Sequence, residues 1–436
     1  MNKKILTLSL FLLLCVVFQP FEHGDVHADG LEIFVSADGT GTDCTQAAPC
    51  QPSQGLVNAT DGDIIYFEAG KYFGSTADSI LTITKGVSLI GGWDGLNEGG
   101  LNVNPELFTT AFDGQNARGI LKILSPSETH PVFVSGFTFV RGHSHALNED
   151  GGAIYIKDGK AIIENNLFEL NFAPSYGGAI HVNSSDGFEA RDNYFYGNQA
   201  TYGGGAIHIN RSPEAEMAII ENNVFEENGT EDYGYGGAIE INRSSARINA
   251  NLIINTTGAT SSVLIYSQEL VTVTNNILFG SSNSLGNHAA ITVENRAGVI
   301  SQIINNTIVN ADVGIFINGD SVINITNNII AGCAVGVNSY GSFYLDGTHN
   351  LLYNNTVNTN IPYLEANSII GEAPLFVDET NLDFHIQKDS PARNRGATVD
   401  LNSDFDGDVR PFGGKFDIGA DEFVGEYQNY LPLIMR

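Results

Sequence analysis

The chain has 436 residues, a formal net charge of −30, 49 glycines and only 20 lysines and arginines. That acidity repels nucleic acid and anionic membrane surfaces, repels polyanionic sugars unless a cation intervenes, and favours divalent cations. Length alone allows two or three domains, but short β-branched runs broken by Gly and Asn along most of the chain argue for one repetitive body.

At the N-terminus Lys3-Lys4 precedes an apolar run from Ile5 to Phe18 and a small-residue exit at Val26-His27-Ala28. This is the pattern of a signal peptide, residues 1–28, with cleavage after Ala28. The run is short for a bilayer span, and Leu14 before Cys15 lacks the small residue of a lipoprotein site. The mature chain is expected to be secreted, either extracellular or on a bacterial cell surface, with no transmembrane segment. Cys44 and Cys50 lie close together in a Pro- and Gly-flanked stretch of an exported chain, which predicts a disulfide. Cys333 is left over and alternates with Val335 and Val337, so it is read as a small core residue.

Two elements then recur. Asn166, Asn193, Asn223, Asn251, Asn276, Asn306, Asn328 and Asn350 stand at intervals of 27, 30, 28, 25, 30, 22 and 22 residues. Gly-Gly-Ala-Ile recurs at Gly151–Ile154, Gly177–Ile180, Gly204–Ile207 and Gly236–Ile239, and degrades to Ala290-Ile291, Gly314-Ile315 and Gly336-Val337. Each repeat holds short period-two strands and no helix-period stretch. Such a repeat cannot bury its own apolar face; stacked coils about 4.8 Å apart can. The fold predicted is all-β, a right-handed parallel β-helix solenoid of about ten coils. The asparagines suit sharp turns and an amide ladder between coils.

The segments Gly62–Tyr72 and Val87–Trp93 resemble the first coils of the pectate-lyase-like β-helix superfamily. Cys44 through Asp63 resembles the N-terminal cap of those proteins, which shields the open end of the solenoid. The Gly-Gly-Ala-Ile elements, with Phe168–Asn171, Phe195–Asn198 and Phe225–Asn228, resemble the repeat motifs of polymorphic outer-membrane proteins. Asp404–Pro411 with Asp417–Glu422 resembles the C-terminal region of choice-of-anchor bacterial surface proteins. The domain reading is a cap at 29–62, the β-helix at 63–355, a capping or anchor-like region at 356–425 and a tail at 426–436. The tail ends Tyr430–Arg436, too short for a membrane anchor, and reads either as a sorting tag or as a closing strand. These resemblances imply architecture and export. They are nearly silent on activity, because the fold hosts lyases, hydrolases, adhesins and tailspikes alike.

Candidate chemistry lies on the outward positions. Ile154/Ile156, Ile180/Val182, Ile207/Ile209 and Ile239/Ile241 alternate inward, which places Tyr155, His181, His208 and Glu240 in one exposed column, continued by Thr292 and Phe316. Lys157, Asn183, Asn210 and Asn242 form a second column, and Tyr176, Tyr202 and Tyr235 form a rim. Aromatic faces and amides at coil spacing suit a polysaccharide or cell-surface glycan lying along the axis; the alternative is a plain surface ladder.

Glu240 beside His208 is the acid and base pair on adjacent coils of this face, but no signature of a polysaccharide lyase or glycoside hydrolase surrounds it. His143-Ser144-His145 is read as surface histidines, since spacing implies no third ligand. Asn402, Asp404, Asp406 and Gly407 match the opening of a calcium loop, with Asp404, Asp406 and Asp408 as the candidate ligands, yet position twelve counted from Asn402 is Gly413 instead of Glu. The alternatives there are a partial calcium site and a structural cluster around Arg410. Calcium is the one cofactor the sequence suggests, and no other is implied. The expectation is a monomeric, non-catalytic glycan- or partner-binding surface protein, with a carbohydrate-active enzyme as the alternative.

Overall fold

The computed structural model describes residues 30–425 apart from the stretches 75–78, 97–99, 125, 127–128, 146–149, 186, 213–216, 232–233, 259, 283–285, 295–299 and 342. The segment 1–28, expected to be a signal peptide, and the tail at 426–436 lie outside the described residues.

One repeat shows how the sequence makes a coil. Ile154–Lys157 forms a strand in a first sheet, Ala161–Glu164 a strand in a second and Leu167–Glu169 a strand in a third. The chain then adds the two-residue strand Phe172–Ala173 before entering the first sheet again at Ile180–Asn183. Neighbouring strands of these three sheets pair in parallel, and successive repeats stack residue on equivalent residue, as in Ile154↔Ile180 and Ile180↔Ile207. Among the described residues the three sheets hold eleven, twelve and twelve strands. This is a parallel β-helix, and it is slightly longer than ten coils. Glu32–Val35, inside the expected cap, is already paired with Ile64–Phe67, and Ile369–Ile370 extends the third sheet past residue 355.

The inward residues stack like with like. Phe168, Phe195 and Phe225 lie ring over ring at 4.7 and 4.8 Å, the spacing of the strands themselves. The asparagine file is buried, and each Nδ2 donates to Oδ1 of the next coil's Asn at 2.9–3.1 Å. Its second hydrogen goes to a strand carbonyl of the preceding coil, as in Asn193 Nδ2 to Ile163 O. The left-handed backbone falls one residue earlier than expected, on Asn165, Asp192, Asn222, Ala250, Asn275, Asn305, Asn327 and His349. That division frees the ladder amide from turning the chain. A second ladder joins Asn171, Asn198 and Asn228.

Cys44 and Cys50 are disulfide-bonded and Cys333 is buried in the core. A short helix, Pro52–Asn58, closes the N-terminal end, and Lys85 Nζ donates to the carbonyls of Leu56, Val57 and Ala59 at its C-terminus. The helix Pro362–Ala366 places Leu364 over the other end of the core. Beyond it, the chain folds back onto the outer face of the third sheet. Phe384 and Ala420 pack on Leu252, Ile254, Ile277 and Val309, while Ile386, Ala392, Ile418 and Phe423 pack on Ile329, Ala331 and Leu351. The C-terminal region is thus a clasp continuous with the solenoid. No helix among the described residues is long and apolar enough to cross a membrane.

Candidate functional site: a covered polar column

The register of the first sheet is the one the alternation implies. Tyr155, His181, His208 and Glu240 are paired strand to strand, and Leu264, Thr292 and Phe316 continue the file. Their exposure is not as expected. Tyr155, His181, His208 and Glu240 are only 4%, 6%, 2% and 4% exposed.

The cover is the segment that joins the third sheet to the first. In successive coils it runs back across the outer face of the first sheet, held by parallel bridges Tyr176↔Gly203 and Gly203↔Tyr235. The glycines of the repeat make this possible. A Cβ on Gly203 would stand 1.7 Å from Glu240 Oε2, and Gly177, Gly204 and Gly236 have φ of 68°, 60° and 56°. The sequence signal was therefore Tyr before Gly-Gly: the glycines turn the chain and let it lie flat on the next coil's column. Tyr176 is half-buried, its ring stacked on His208 at 4.5 Å, while Tyr202 and Tyr235 remain 55% and 49% exposed. The second column keeps its accessibility: Lys157 is exposed, Asn183, Asn210 and Asn242 are half-buried, and Asn210 Nδ2 donates to Asn183 Oδ1 at 3.3 Å.

Beneath the cover two imidazole–carboxylate pairs meet. His181 Nδ1 is 3.7 Å from Asp150 Oδ2, and His208 Nε2 is 3.8 Å from Glu240 Oε1. The two imidazoles touch edge to face at 4.8 Å, and Tyr155 lies edge-on to His181 at 5.6 Å. Neither separation is a hydrogen bond. The ring nitrogens of both histidines, Glu240 Oε2 and Asp150 Oδ1 are buried without a hydrogen-bond partner. Burial pushes His181 down to about 4 and His208 well below its usual range, so both rings are neutral at neutral pH. It pushes Glu240 up to about 8 and Asp150 up to about 6, the latter against stabilising bonds from Ser175 and Tyr176. The acid and base anticipated on this face are present and adjacent, but withheld from solvent.

Asp404 Oδ1 accepts the backbone N–H of Asp406 and of Asp408, and its Oδ2 accepts that of Glu422. Among the described residues, the group of three metal-competent side chains that comes together is His385, Asp406 and Asp421, which shares only Asp406 with the expected set. There His385 donates to Asp383 at 2.5 Å and Asp406 at 2.7 Å. Those bonds outweigh burial and carry the imidazole up to about 10. Arg410, fully buried, pairs with Glu422 at 3.1 Å and donates to the carbonyls of Asp417 and Gly419. His143 and His145 stack at 4.6 Å, with His145 on the Ala117 carbonyl.

The family model described as a right-handed β-helix region matches residues 132–297. The fold is accordingly a right-handed parallel β-helix. No curated protein matches the sequence. Among solved structures, the chain is similar to an alginate lyase of polysaccharide lyase family 6 in complex with a trisaccharide (16% identity, 82% of this chain and 92% of that one, TM-score 0.47). It is also similar to pectate lyase Pel9A (12%, 90% and 96%, TM-score 0.45) and to alginate lyase AlyF-OU02 (17%, 72% and 77%, TM-score 0.45).

Proposed function

We propose that this is a secreted or cell-surface β-helix protein that binds a glycan along the outer face of the cover without chemically altering it. The observation that carries the reading is the rim: Tyr202 and Tyr235 present exposed rings on successive coils, with half-buried Tyr176 one coil before and 5.9 Å from Tyr202. Sugar rings stack on such faces. Lys157 and the amides of Asn183, Asn210 and Asn242 supply polar groups on the same sheet. The net charge of −30 favours a neutral polysaccharide over a polyanionic one. The Cys44–Cys50 bridge fits an oxidising compartment reached through the signal sequence at 1–28. Display at a cell surface is what the sequence resemblance of the repeats and the 404–422 segment to polymorphic outer-membrane and choice-of-anchor proteins would imply.

The test is a glycan array followed by calorimetry, comparing the parent with Tyr202→Ala/Tyr235→Ala. Each ring is worth about 0.5–1.5 kcal/mol beyond burial, so the pair should weaken binding roughly tenfold. Equal binding by both proteins would place the ligand elsewhere. His181 and His208 are unsuited to this test, because both are buried and their removal disturbs packing.

The adjacent, unpartnered His208 and Glu240 favour a second reading, a lyase or hydrolase whose cover lifts over substrate. Incubation with a polysaccharide panel and calcium, scored for new reducing ends and unsaturated-uronate absorbance, decides between the two. Turnover on any polymer would replace binding with catalysis.

A further inference from the structure

The clasp covers only part of the third sheet. Its apolar contacts run from Leu252 toward the C-terminal end and reach back no further than Val224; beneath it the outward positions are apolar, as at Leu252, Ile254, Ile277 and Val309. The two coils before Leu252 and Ile254, and the one before those, carry Glu169, Tyr194, Tyr196 and Glu226 on the same outer face, half-buried and outside the clasp. Contact with water accounts for polar residues there. It does not account for their arrangement.

Tyr194 and Tyr196 stand side by side on one strand, ring centres 6.4 Å apart and planes within 11° of parallel. The Tyr194 hydroxyl donates to Glu226 Oε2 on the next coil, and Glu227 bonds the hydroxyl of Tyr196. Both rings are therefore held in place before a ligand arrives, which lowers the ordering cost of binding.

The charge around the rings is one-sided. Glu169 and Glu226 flank Tyr196 on the coils before and after it, paired strand to strand, and exposed Glu227 follows at the turn. Glu227 above all, with Glu226 and Glu169, pushes the Tyr196 hydroxyl above its ordinary range; burial and then Glu226 do the same to Tyr194. Arg141, whose charge reaches Glu169, is already paired with Asp113, and among the described residues no ion pair engages Glu169, Glu226 or Glu227. Carboxylates gathered in this way repel one another and attract a positive partner. A carboxylate that accepts one tyrosine hydroxyl keeps acceptor capacity to spare, and a cation over a tyrosine face gains further attraction.

We propose that Glu169, Tyr194, Tyr196, Glu226 and Glu227 form a second glycan site, on the third sheet, for a sugar chain that carries free, protonated amines. A pyranose ring lies against the tyrosine pair, and its ammonium group is received by the carboxylates. The fixed, parallel rings favour a rigid sugar over a lysine side chain, which loses rotamer entropy on docking. The site is separate from the Tyr202 and Tyr235 rim and does not rest on it.

Calorimetry with the β-1,4-linked glucosamine hexasaccharide, in slightly acidic low-salt buffer, is the test. Its N-acetylated counterpart has the same rings without the charge. Both the parent and the Tyr202→Ala/Tyr235→Ala protein, in which the rim is disabled, should bind the glucosamine hexamer about tenfold or more tighter than the acetylated one, with affinity falling as salt rises. Glu226→Gln/Glu227→Gln keeps shape and hydrogen-bond acceptors, so it should melt with the parent while losing about tenfold or more in affinity. Tyr196→Ala should lose as much, and Tyr196→Phe, which keeps the ring, should lose less. Equal affinity for the two hexamers, no binding of the glucosamine hexamer, or binding unchanged in both Glu226→Gln/Glu227→Gln and Tyr196→Ala would overturn the proposal. A lysine hexapeptide that binds as tightly, and is lost in the same variants, would overturn it too, since the face would then read charge alone. Because the rim is disabled independently, failure there and failure here are separately readable.

Discussion

His181 and His385 are both almost wholly buried, both stand beside an aspartate, and their imidazoles are driven in opposite directions, down to about 4 for one and up to about 10 for the other. The difference lies in what each covering segment brings with it. The C-terminal clasp reaches the third sheet with its own carboxylates in hydrogen-bond contact, 2.5 and 2.7 Å from His385, and a matched Arg410–Glu422 pair beside them. The segment over the first sheet brings glycine and tyrosine instead, and the nearest carboxylate stays 3.7 Å from His181. Burial alone neutralises a histidine, whereas burial with contacting carboxylates keeps it charged. One covered face is consequently held by completed ion pairs and apolar contacts, and the other is left with unmatched donors.

The largest expected effect concerns the inner side of the same strand. Ile207 is fully buried in the core next to His208, and Ile207→Asp puts an unpaired charge where no covering segment can answer it, at more than about 4 kcal/mol. Unchanged melting by circular dichroism would mean the register is wrong.

Next comes Glu422→Ala, which leaves the Arg410 guanidinium buried and without its carboxylate, and should cost about 3–5 kcal/mol in urea unfolding. A loss below 1 kcal/mol would show that the carbonyls of Asp417 and Gly419 suffice, and the clasp would no longer count as held by ion pairs.

The two histidines should then respond oppositely to pH. His181 has a folded pKa below its ordinary value, so the parent loses stability as pH falls from about 6.5 through about 4. His385 has a raised one, so its contribution is fully present below about 6.5 and lost as pH rises through about 10. At about 1.4 kcal/mol per pKa unit, each swing reaches a few kcal/mol at most. The gap between parent and variant across pH 4–10 should therefore change below about pH 6.5 for His181→Gln and above it for His385→Gln; parallel curves would erase the distinction between the faces.

The smallest effect is Glu240→Gln near pH 4.5, within about 1 kcal/mol of the parent, because the carboxyl is protonated in the folded chain there and largely so in the unfolded one. The folded carboxyl is carried up to about 8, so the parent loses stability as pH rises from about 4.5 through about 8, and over that range the variant should become the more stable of the two. Equal stability at pH 9 would mean that Glu240 is solvated in the folded chain.

Much of this architecture was legible because it is periodic. The asparagine beat gave the ladder, the Ile alternation gave the strand register, and Cys44 and Cys50 gave the bridge. What escaped was contributed by chain outside the beat. Tyr155, His181, His208 and Glu240 were correctly read as facing away from the core, but outward was equated with exposed. The cover comes from the non-repeating stretch between the third and first sheets, where Tyr-Gly-Gly was read as a rim and a strand entry. Asp150, which completes the buried group, sits in that stretch. The acidic residues at 404–408 were legible as a turn with something to hold, but their partner His385 lies 21 residues from Asp406 with no spacing rule to connect them. Ion pairs made by folding back are set by the docked surface, and local sequence carries no mark of them.

The asparagine file has a direction. In every rung one side-chain N–H and the backbone N–H point toward the following coil, and both end on a single Oδ1, as Asn251 N and Nδ2 do on Asn276. A chain coiled only partway therefore shows donors at its advancing end and an acceptor oxygen at its starting end. Two unfinished molecules meeting advancing end to advancing end would set donor against donor along this file and gain nothing there. The productive encounter, advancing end to starting end, is obstructed by the Pro52–Asn58 helix and the bridged Cys44–Cys50 loop, which close the starting end. A chain that coils from its N-terminus thus carries a one-way zipper whose ready mate is the next stretch of itself.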